Sequence, residues 1–374
     1  MARSLLDLGY SVDVINWTNN SFTPDKEYSL FIDVRWNLQR LSPFLNKDCV
    51  KIMYVDVCHI TFQNAAETGR LLDLQRRRGF TLRPRRYEPP NRGIEYADCA
   101  ILLGNEFTQN TFRFANKPIY PIPVLSLGNY PFPESKDFES CRKNFVWFGS
   151  GGLVRKGLDL VLDAFAEMPD LNLTVCGPVE AEDDFFHAYR KELCEIPNIQ
   201  TVGWVDVASR KFLEICNQNV ALIYPSCSEG QSGGVVTCLQ AGLIPLVSYE
   251  TGLDVSADIG AILKSSSIAE IKDTVRSFAA LPAERLKTMA QNAWNYARAH
   301  HTRDSYTEAF KKAVIDIVDR HSRERGIVTV PMRDHRVAGL SAAFCGKPYD
   351  RSGNSGEAVL MRDANLEGTR GKLT

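Results

Sequence analysis

Between Pro225 and Pro245 stand the residues whose types and spacing are best suited to chemistry: Glu229, then Gly230-Gln-Ser-Gly-Gly234, then a run of small apolar residues. Val220 to Tyr224 form a short apolar run suited to a buried strand. Val235 to Ala241 have the length and composition of a buried helix that Gly242 stops. Gly233 and Gly234 then fall where the helix begins. Free N–H groups and the positive end of the helix dipole at that point can hold a phosphate, and glycine lets the ligand approach closely. Glu229, just upstream, is placed to hydrogen-bond sugar hydroxyls. For a single Gly-Gly pair an ordinary loop is the plainer account, and the surrounding sequence decides between the two.

That surrounding sequence alternates short apolar runs with segments of helical period, the plan of a parallel sheet with crossover helices. Phe145 to Gly149 read as a strand. Leu158, Val161, Leu162 and Phe165 follow i, i+3, i+4, i+7 spacing, which predicts a helix starting near Lys156-Gly157 and ending before Pro169. Leu171 to Cys176 and Ile199 to Val202 predict further strands, a helix is expected over about 209–216, and Ile244 to Ser248 close the series. This is a doubly wound layout, in which ligands bind at the carboxyl ends of strands. In the first half, Ser11 to Trp17, Ser29 to Val34, Val50 to Val55 and Asp98 to Leu103 read as strands, with Leu5, Leu6 and Leu8 in a helix before them. Pro118 to Pro133 are expected to connect two domains, because proline stiffens a linker and ends pairing.

Composition bounds the possibilities. The chain has 374 residues, 44% of them hydrophobic, which suits two globular domains. With 44 basic and 45 acidic side chains the net charge is −1, so bulk charge gives no reason to expect nucleic-acid binding. Ten cysteines occur without a C-x-x-C pair, and Cys58, Cys99, Cys176 and Cys216 lie in or beside apolar runs. A reducing cytosol and no metal site are expected. No apolar run approaches the roughly 20 residues of a transmembrane helix.

At this point the residues carry a family resemblance. The second half resembles the donor-binding domain of GT-B glycosyltransferases, specifically the retaining group known as group 1 or family 4. The landmarks are Phe148-Gly149-Ser150 followed by Arg155-Lys156-Gly157; Leu173 to Gly177-Pro178; Asn198-Ile199 leading to Gly203-Trp204-Val205; and Pro225-Ser226 with Glu229-Gly230 leading to Ala241-Gly242 and Pro245. The resemblance implies an α/β GT-B fold, two Rossmann-like doubly wound domains facing a cleft: an acceptor-side domain over 1–140 lacking its first strand, and a nucleotide-sugar domain over 141–300. A closing helix over 301–322 would return to the first domain. A disordered tail is expected over 331–374 from its Gly-, Ser- and charge-rich composition.

The resemblance also assigns roles. Lys156 matches the lysine that neutralises the donor diphosphate, with Arg155 sharing the duty, because leaving-group charge develops there during transfer. Glu229 matches the first glutamate of an E-x7-E motif, placed against the donor sugar. Backbone N–H groups of Gln231, Ser232, Gly233 and Gly234 would hold sugar and phosphate oxygens, as would the amides of Ser150, Gly151 and Gly152. Gly177, Pro178, Gly203, Trp204 and Val205 match the walls around the base, and Gly149 belongs with the donor-binding residues. His59 stands where the family often has a histidine near the acceptor.

Three departures accompany these matches. Thr237 stands where the second glutamate, the usual ribose ligand, is expected. Ser150 stands where an arginine is common. The chain starts inside the first helix of the family's plan. Between Arg70 and Arg92 eight arginines face two acids, and Arg76, Arg77, Arg78, Arg83, Arg85 and Arg86 are expected either to line a solvated surface or to meet a phosphorylated acceptor or the inner face of a membrane.

The expected function is metal-independent transfer of a sugar from a nucleotide-sugar to a glycan or lipid-linked acceptor with retention, in the cytoplasm. It needs no cofactor, since the nucleotide-sugar is a co-substrate. The first alternative is a relative that binds nucleotide or glycan without turnover. A dinucleotide-dependent oxidoreductase or epimerase is the second, disfavoured because no G-x-G-x-x-G follows the first strand of either half and no tyrosine-lysine pair at helical spacing supports it.

Overall fold

A computed structural model describes residues 1–34, 36–325 and the backbone of 357–363. Two compact units divide the chain: Met1–Tyr54, Arg92–Cys99 and Lys311–Thr374 form one, Val55–Asn91 and Ala100–Phe310 the other. Neither is a continuous stretch of sequence, so the division differs from a boundary near residue 140.

In the first unit, helix α1 (Ala2–Asp7) leads into β1 (Tyr10–Asn16), followed by β2 (Leu30–Asp33) and β3 (Val50–Val55). β2 and β3 pair in parallel, Leu30 opposite Val50. Every residue of β2 is buried, and the Asp33 carboxylate accepts the Leu38 N–H at 2.8 Å at the start of the next helix.

The second unit opens with α2 (Ile60–Arg78), which Gly79 ends at φ 73° with its N–H on the Gln75 carbonyl. β4 (Cys99–Leu103) then pairs in parallel with β5 (Ile119–Ile122). The passage expected to be a linker therefore begins with a strand. Pro121 is tolerated there because it sits exposed on β5, a strand with no partner on its other side among the described residues.

The rest of this unit is a six-stranded parallel sheet: β6 (Asn144–Phe148), β7 (Asn172–Cys176), β8 (Ile199–Gly203), β9 (Ala221–Tyr224), β10 (Ile244–Ser248) and β11 (Ala261–Leu263). Its order is β11-β10-β9-β6-β7-β8. Between them run α3 (Leu158–Ala166), α4 (Arg210–Gln218) and α5 (Gly233–Gln240), then α6 (Ile268–Ala279) and α7 (Ala283–His300). The strands follow the apolar runs to within a residue or two, and the central β9 and β10 are buried at every residue, on both faces, whereas the edge strands β8 and β11 are only partly buried. Trp147, Phe145, Phe165, Tyr224 and Phe212 fill the core at 1% exposure or less. Chain order reverses between β6 and β9, so the crevice at their carboxyl ends is the place this topology prepares for a ligand.

α8 (Arg303–Glu324) begins in the second unit and ends in the first, two residues further along the chain at each end than the closing helix expected over 301–322. Of the tail expected to be disordered over 331–374, Glu357–Asp363 instead form β12, antiparallel to both β1 and β2, with Val14 and Ile32 opposite Val359. The remainder of that tail lies outside the described residues.

The arginine-rich stretch explains why 55–91 belong to the second unit. Arg77 bonds Asp159 at 2.8 Å and Asp163 at 3.2 Å, Arg78 bonds Glu192 at 2.5 Å, and Arg85 meets Asp183 at 3.0 Å and also Asp184. Asp159 is fully buried. The expectation of a patch offered to a membrane or a phosphorylated acceptor is corrected for these three side chains: carboxylates of their own unit already hold them. Arg76 pairs with Asp73 at 3.0 Å on the surface.

One glycine ties the fold to the site. Gly157 caps α3 at φ 73°, and a Cβ there would stand 2.4 Å from the Pro225 carbonyl oxygen. Gly157→Ala is expected to destabilise the chain by about 2 kcal/mol or more, from left-handed strain plus that clash. A urea midpoint equal to wild type would contradict this.

Candidate functional site

Two loops meet at the switch point: residues 149–157 after β6 and 225–232 after β9. In the first, the Trp147 indole N–H donates to the Lys156 carbonyl at 3.2 Å, while the Lys156 N–H bonds the Gly152 carbonyl at 2.9 Å. Lys156 is thus aimed by the core. Its Nζ donates to the Tyr224 hydroxyl at 2.9 Å and lies 3.6 Å from Glu229. That hydroxyl donates in turn to Glu229 Oε1 at 3.1 Å, and Ser226 Oγ adds a bond at 3.3 Å. Arg155 approaches Glu229 at 3.4 Å and donates to the Ser228 carbonyl.

Arg155, Lys156 and Glu229 are exposed by only 4%, 8% and 9%. Burial opposes ionisation of Glu229, but Arg155, Lys156 and the Tyr224 hydroxyl outweigh it and bring the carboxyl to about 2. Burial lowers the Lys156 ammonium to about 8 against the pull of Glu229, with Arg155 and Arg86 adding to the lowering. Tyr224 is pushed well above its ordinary range, first by burial and then by Glu229, so it remains a neutral hydroxyl linking the two charges.

Beside this network opens a cavity of about 420 Å³. Phe148, Gly149, Ser150, Cys176 and Gly177 form one wall, Trp204 to Val207 with Leu127 another, and Lys156, Tyr224, Ser232 and Gly234 complete it. Gly149 and Gly177 are needed at the touching ends of β6 and β7, since a Cβ on Gly177 would stand 2.7 Å from the Gly149 carbonyl oxygen. Gly203, at φ 79°, turns the chain so that Trp204 stands 66% exposed at the cavity. The Ser232 side chain makes no cap bond at the start of α5, which leaves the first-turn N–H groups of that helix without a side-chain cap.

Of the residues singled out in the sequence, Gly149, Ser150, Lys156, Gly177, Trp204, Val205, Ser232 and Gly234 meet at the cavity. Arg155, Ser226 and Glu229 stand behind Lys156. Several others are placed differently. The Thr237 hydroxyl donates to the Gly233 carbonyl at 2.7 Å and accepts the Leu127 N–H at 3.2 Å, fully buried, so it pins residues 126–128 instead of facing a ribose. The Ser232 N–H, expected to hold a sugar or phosphate oxygen, donates instead to the Thr251 carbonyl at 2.9 Å, and the Gln231 side chain bonds the Val124 N–H at 2.6 Å and the Gly252 carbonyl at 3.1 Å. Gly230 packs against the Asp56 carbonyl, where a Cβ would approach to 2.1 Å.

The Gly152 N–H, expected to grip phosphate, is taken by the Glu182 carboxylate, which also accepts the Leu153 N–H at 3.2 Å. Gly151 faces the same carboxylate, and Pro178 and Gly233 lie outside the cavity lining. His59 caps α2 through Nδ1 and packs edge-on against Phe112 and Phe114, the role of a structural histidine. Tyr224 and Glu182 were not singled out in the sequence. A tyrosine at the carboxyl end of a central parallel strand is the signal that could have found the first; nothing local marks the second.

Among the described residues, no group of three His, Cys, Asp or Glu side chains is placed to hold a metal ion, and no helix is long and apolar enough to cross a membrane.

Strand order, switch-point cavity and the Lys156 loop together define a chain of the GT-B fold, an α/β architecture with parallel sheets. Solved GT-B glycosyltransferases share it. Sucrose-phosphate synthase from Thermosynechococcus elongatus is similar at a TM-score of 0.58 and 14% identity, covering 78% of this chain and 74% of that one. S. aureus TarM, in complex with fondaparinux, α-GlcNAc-glycerol and UDP, gives 0.52 and 11%, covering 74% and 52%. Anabaena HepE in complex with UDP gives 0.51 and 12%, covering 75% and 81%. The chain therefore spans about half the length of TarM. No protein-family model and no curated protein matches the sequence.

Proposed function

We propose that the second unit binds a nucleoside diphosphate sugar in its cavity and that the chain transfers the sugar to an acceptor hydroxyl, with retention of configuration, in building a surface polysaccharide or glycolipid. The observation that carries this reading is Lys156, a buried ammonium held on the cavity wall by Tyr224 and Glu229 at the start of a Rossmann-type switch point. TarM and HepE, similar in fold, were crystallised with UDP, which supports a nucleotide in the same place.

In this mechanism the bond from the anomeric carbon to the diphosphate oxygen breaks as the acceptor oxygen attacks on the same face. The acceptor's proton passes to the departing diphosphate. Lys156, Arg155 and the first-turn N–H groups of α5 stabilise the charge that develops there, while Glu229 orients the sugar hydroxyls. No cofactor takes part, and the exposed face of Trp204 stacks on the base.

A cytoplasmic location is supported by thiols at Cys49, Cys58, Cys99 and Cys176, all free. Membrane contact through the arginine stretch has less support, because Arg77, Arg78 and Arg85 already meet carboxylates of their own unit.

Binding without turnover is the second reading, favoured by Thr237, whose hydroxyl is spent inside the fold. Incubation of the full chain with UDP-glucose, UDP-N-acetylglucosamine and GDP-mannose, reading released nucleotide with and without glycan acceptors, separates the two. The expected result is acceptor-dependent release from one donor; binding with no release from any supports the second reading.

A further inference from the structure

We infer that Arg86 is a ligand of the donor's diphosphate, a third cation supplied by the segment after α2. This rests on the donor reading above. The Lys156 site needs such a partner on charge grounds: Arg155 and Lys156 share the single carboxylate of Glu229, which leaves one net positive charge beside a ligand group carrying more negative charge than that. Arg155, 4% exposed, turned onto the Ser228 carbonyl and absent from the cavity lining, adds its charge from behind Lys156 without reaching the ligand itself. The nearest loop amides are occupied, with Gly152 and Leu153 held by Glu182.

Arg86 meets the requirement. Its Cγ lies 3.0 Å, and its Nε 3.6 Å, from where a Cβ of Gly152 would stand, so the side chain lies along the loop that leads to Lys156, next to the cavity lining and not part of it. Its charge reaches both Lys156 and Glu229. The backbone is fixed from two sides: the Arg86 N–H donates to the Glu67 carboxylate at 3.1 and 3.2 Å, and its carbonyl accepts from Gln63 Nε2 at 2.9 Å. Glu67 and Gln63 are 2% and 3% exposed on α2, so two buried polar side chains fix the backbone of Arg86, Glu67 holding the Arg85 N–H at 2.9 Å as well.

Its neighbours Arg77, Arg78 and Arg85 all meet carboxylates, whereas the half-buried Arg86 guanidinium makes no hydrogen bond or ion pair among the described residues. A planar guanidinium with open donors beside a phosphate loop is matched to bidentate phosphate binding.

The test measures binding of UDP and inorganic pyrophosphate by calorimetry, and of uridine by ligand-observed NMR, for the wild-type chain, Arg86→Gln, Arg86→Lys and Lys156→Ala. Arg86→Gln is expected to weaken UDP and pyrophosphate about 10- to 100-fold, as loss of a charge-assisted contact does, while uridine binding stays within twofold. Arg86→Lys recovers part of the loss. Unchanged UDP affinity in Arg86→Gln, with loss in Lys156→Ala, overturns the Arg86 assignment and leaves the donor reading standing. Equal losses of uridine and UDP indicate a packing effect and overturn it as well. A wild-type chain that binds neither UDP nor pyrophosphate overturns both.

Discussion

Lys156→Ala is expected to lower the rate of sugar transfer by about 10²- to 10³-fold at saturating donor, the loss seen when a preorganised charge facing a leaving group is removed from a dry site. The lysine is 8% exposed, and its ammonium is anchored by the Tyr224 hydroxyl at 2.9 Å, so in the proposed reaction almost no reorganisation is needed when charge develops on the departing diphosphate. A signature in pH accompanies the effect. Burial brings the Lys156 ammonium down to about 8, so the free chain loses that charge as pH rises through about 8, and kcat/KM falls on the alkaline side. Lys156→Arg, whose side chain stays charged, is expected to move that limb upward even though its larger head group lowers the rate. Donor turnover measured against pH for the three proteins checks this. An alkaline limb identical in wild type and Lys156→Arg would remove Lys156 from the role.

Glu229→Ala is expected to carry the largest cost in stability, about 3–5 kcal/mol, because it leaves Arg155 and Lys156 buried without their shared counter-charge. Glu229→Gln keeps a bond to Tyr224 but not the charge and falls between the two. The pH dependence has a definite sign. The folded carboxyl sits at about 2, below its ordinary 4.5, so its contribution to stability is fully present above pH 4.5 and is lost as pH falls towards 2. Urea unfolding of wild type between pH 5 and 2 is expected to show that loss, while the variant lacks this component. Equal acid sensitivity in both would mean that the Arg155–Lys156–Glu229 group contributes nothing to the fold.

Much of the second unit was legible in the residues. Apolar runs such as Phe145 to Phe148 and Val220 to Tyr224 became buried parallel strands because no other element fits a short, fully apolar segment bounded by glycine and proline. Gly149, Lys156, Gly177 and Trp204 were found at the cavity because turns at strand ends carry their own residue signals. The partners within the Arg70 to Arg92 stretch were not legible, for a different reason. Charge density along a sequence does not say what faces it, and the acids that neutralise Arg77, Arg78 and Arg85 come from about 80 to more than 110 residues away, at Asp159, Asp183 and Glu192.

Thr237 makes the same point at atomic scale. Its position at the eighth residue from Glu229 places it on the first turns of α5, but whether that hydroxyl faces a ligand or the chain depends on Leu127, a residue 110 positions earlier. By itself, then, the sequence determined the order of strands and helices, the loops that end beside the cavity and the residue types within them, because these follow from local periodicity and turn chemistry. Only the tertiary structure decided which charges are paired, which amides are already occupied and which cation is left open. Long-range contacts neutralise Arg77 with Asp159 and fill the Gly152 amide with Glu182, while Arg86 keeps its donors free.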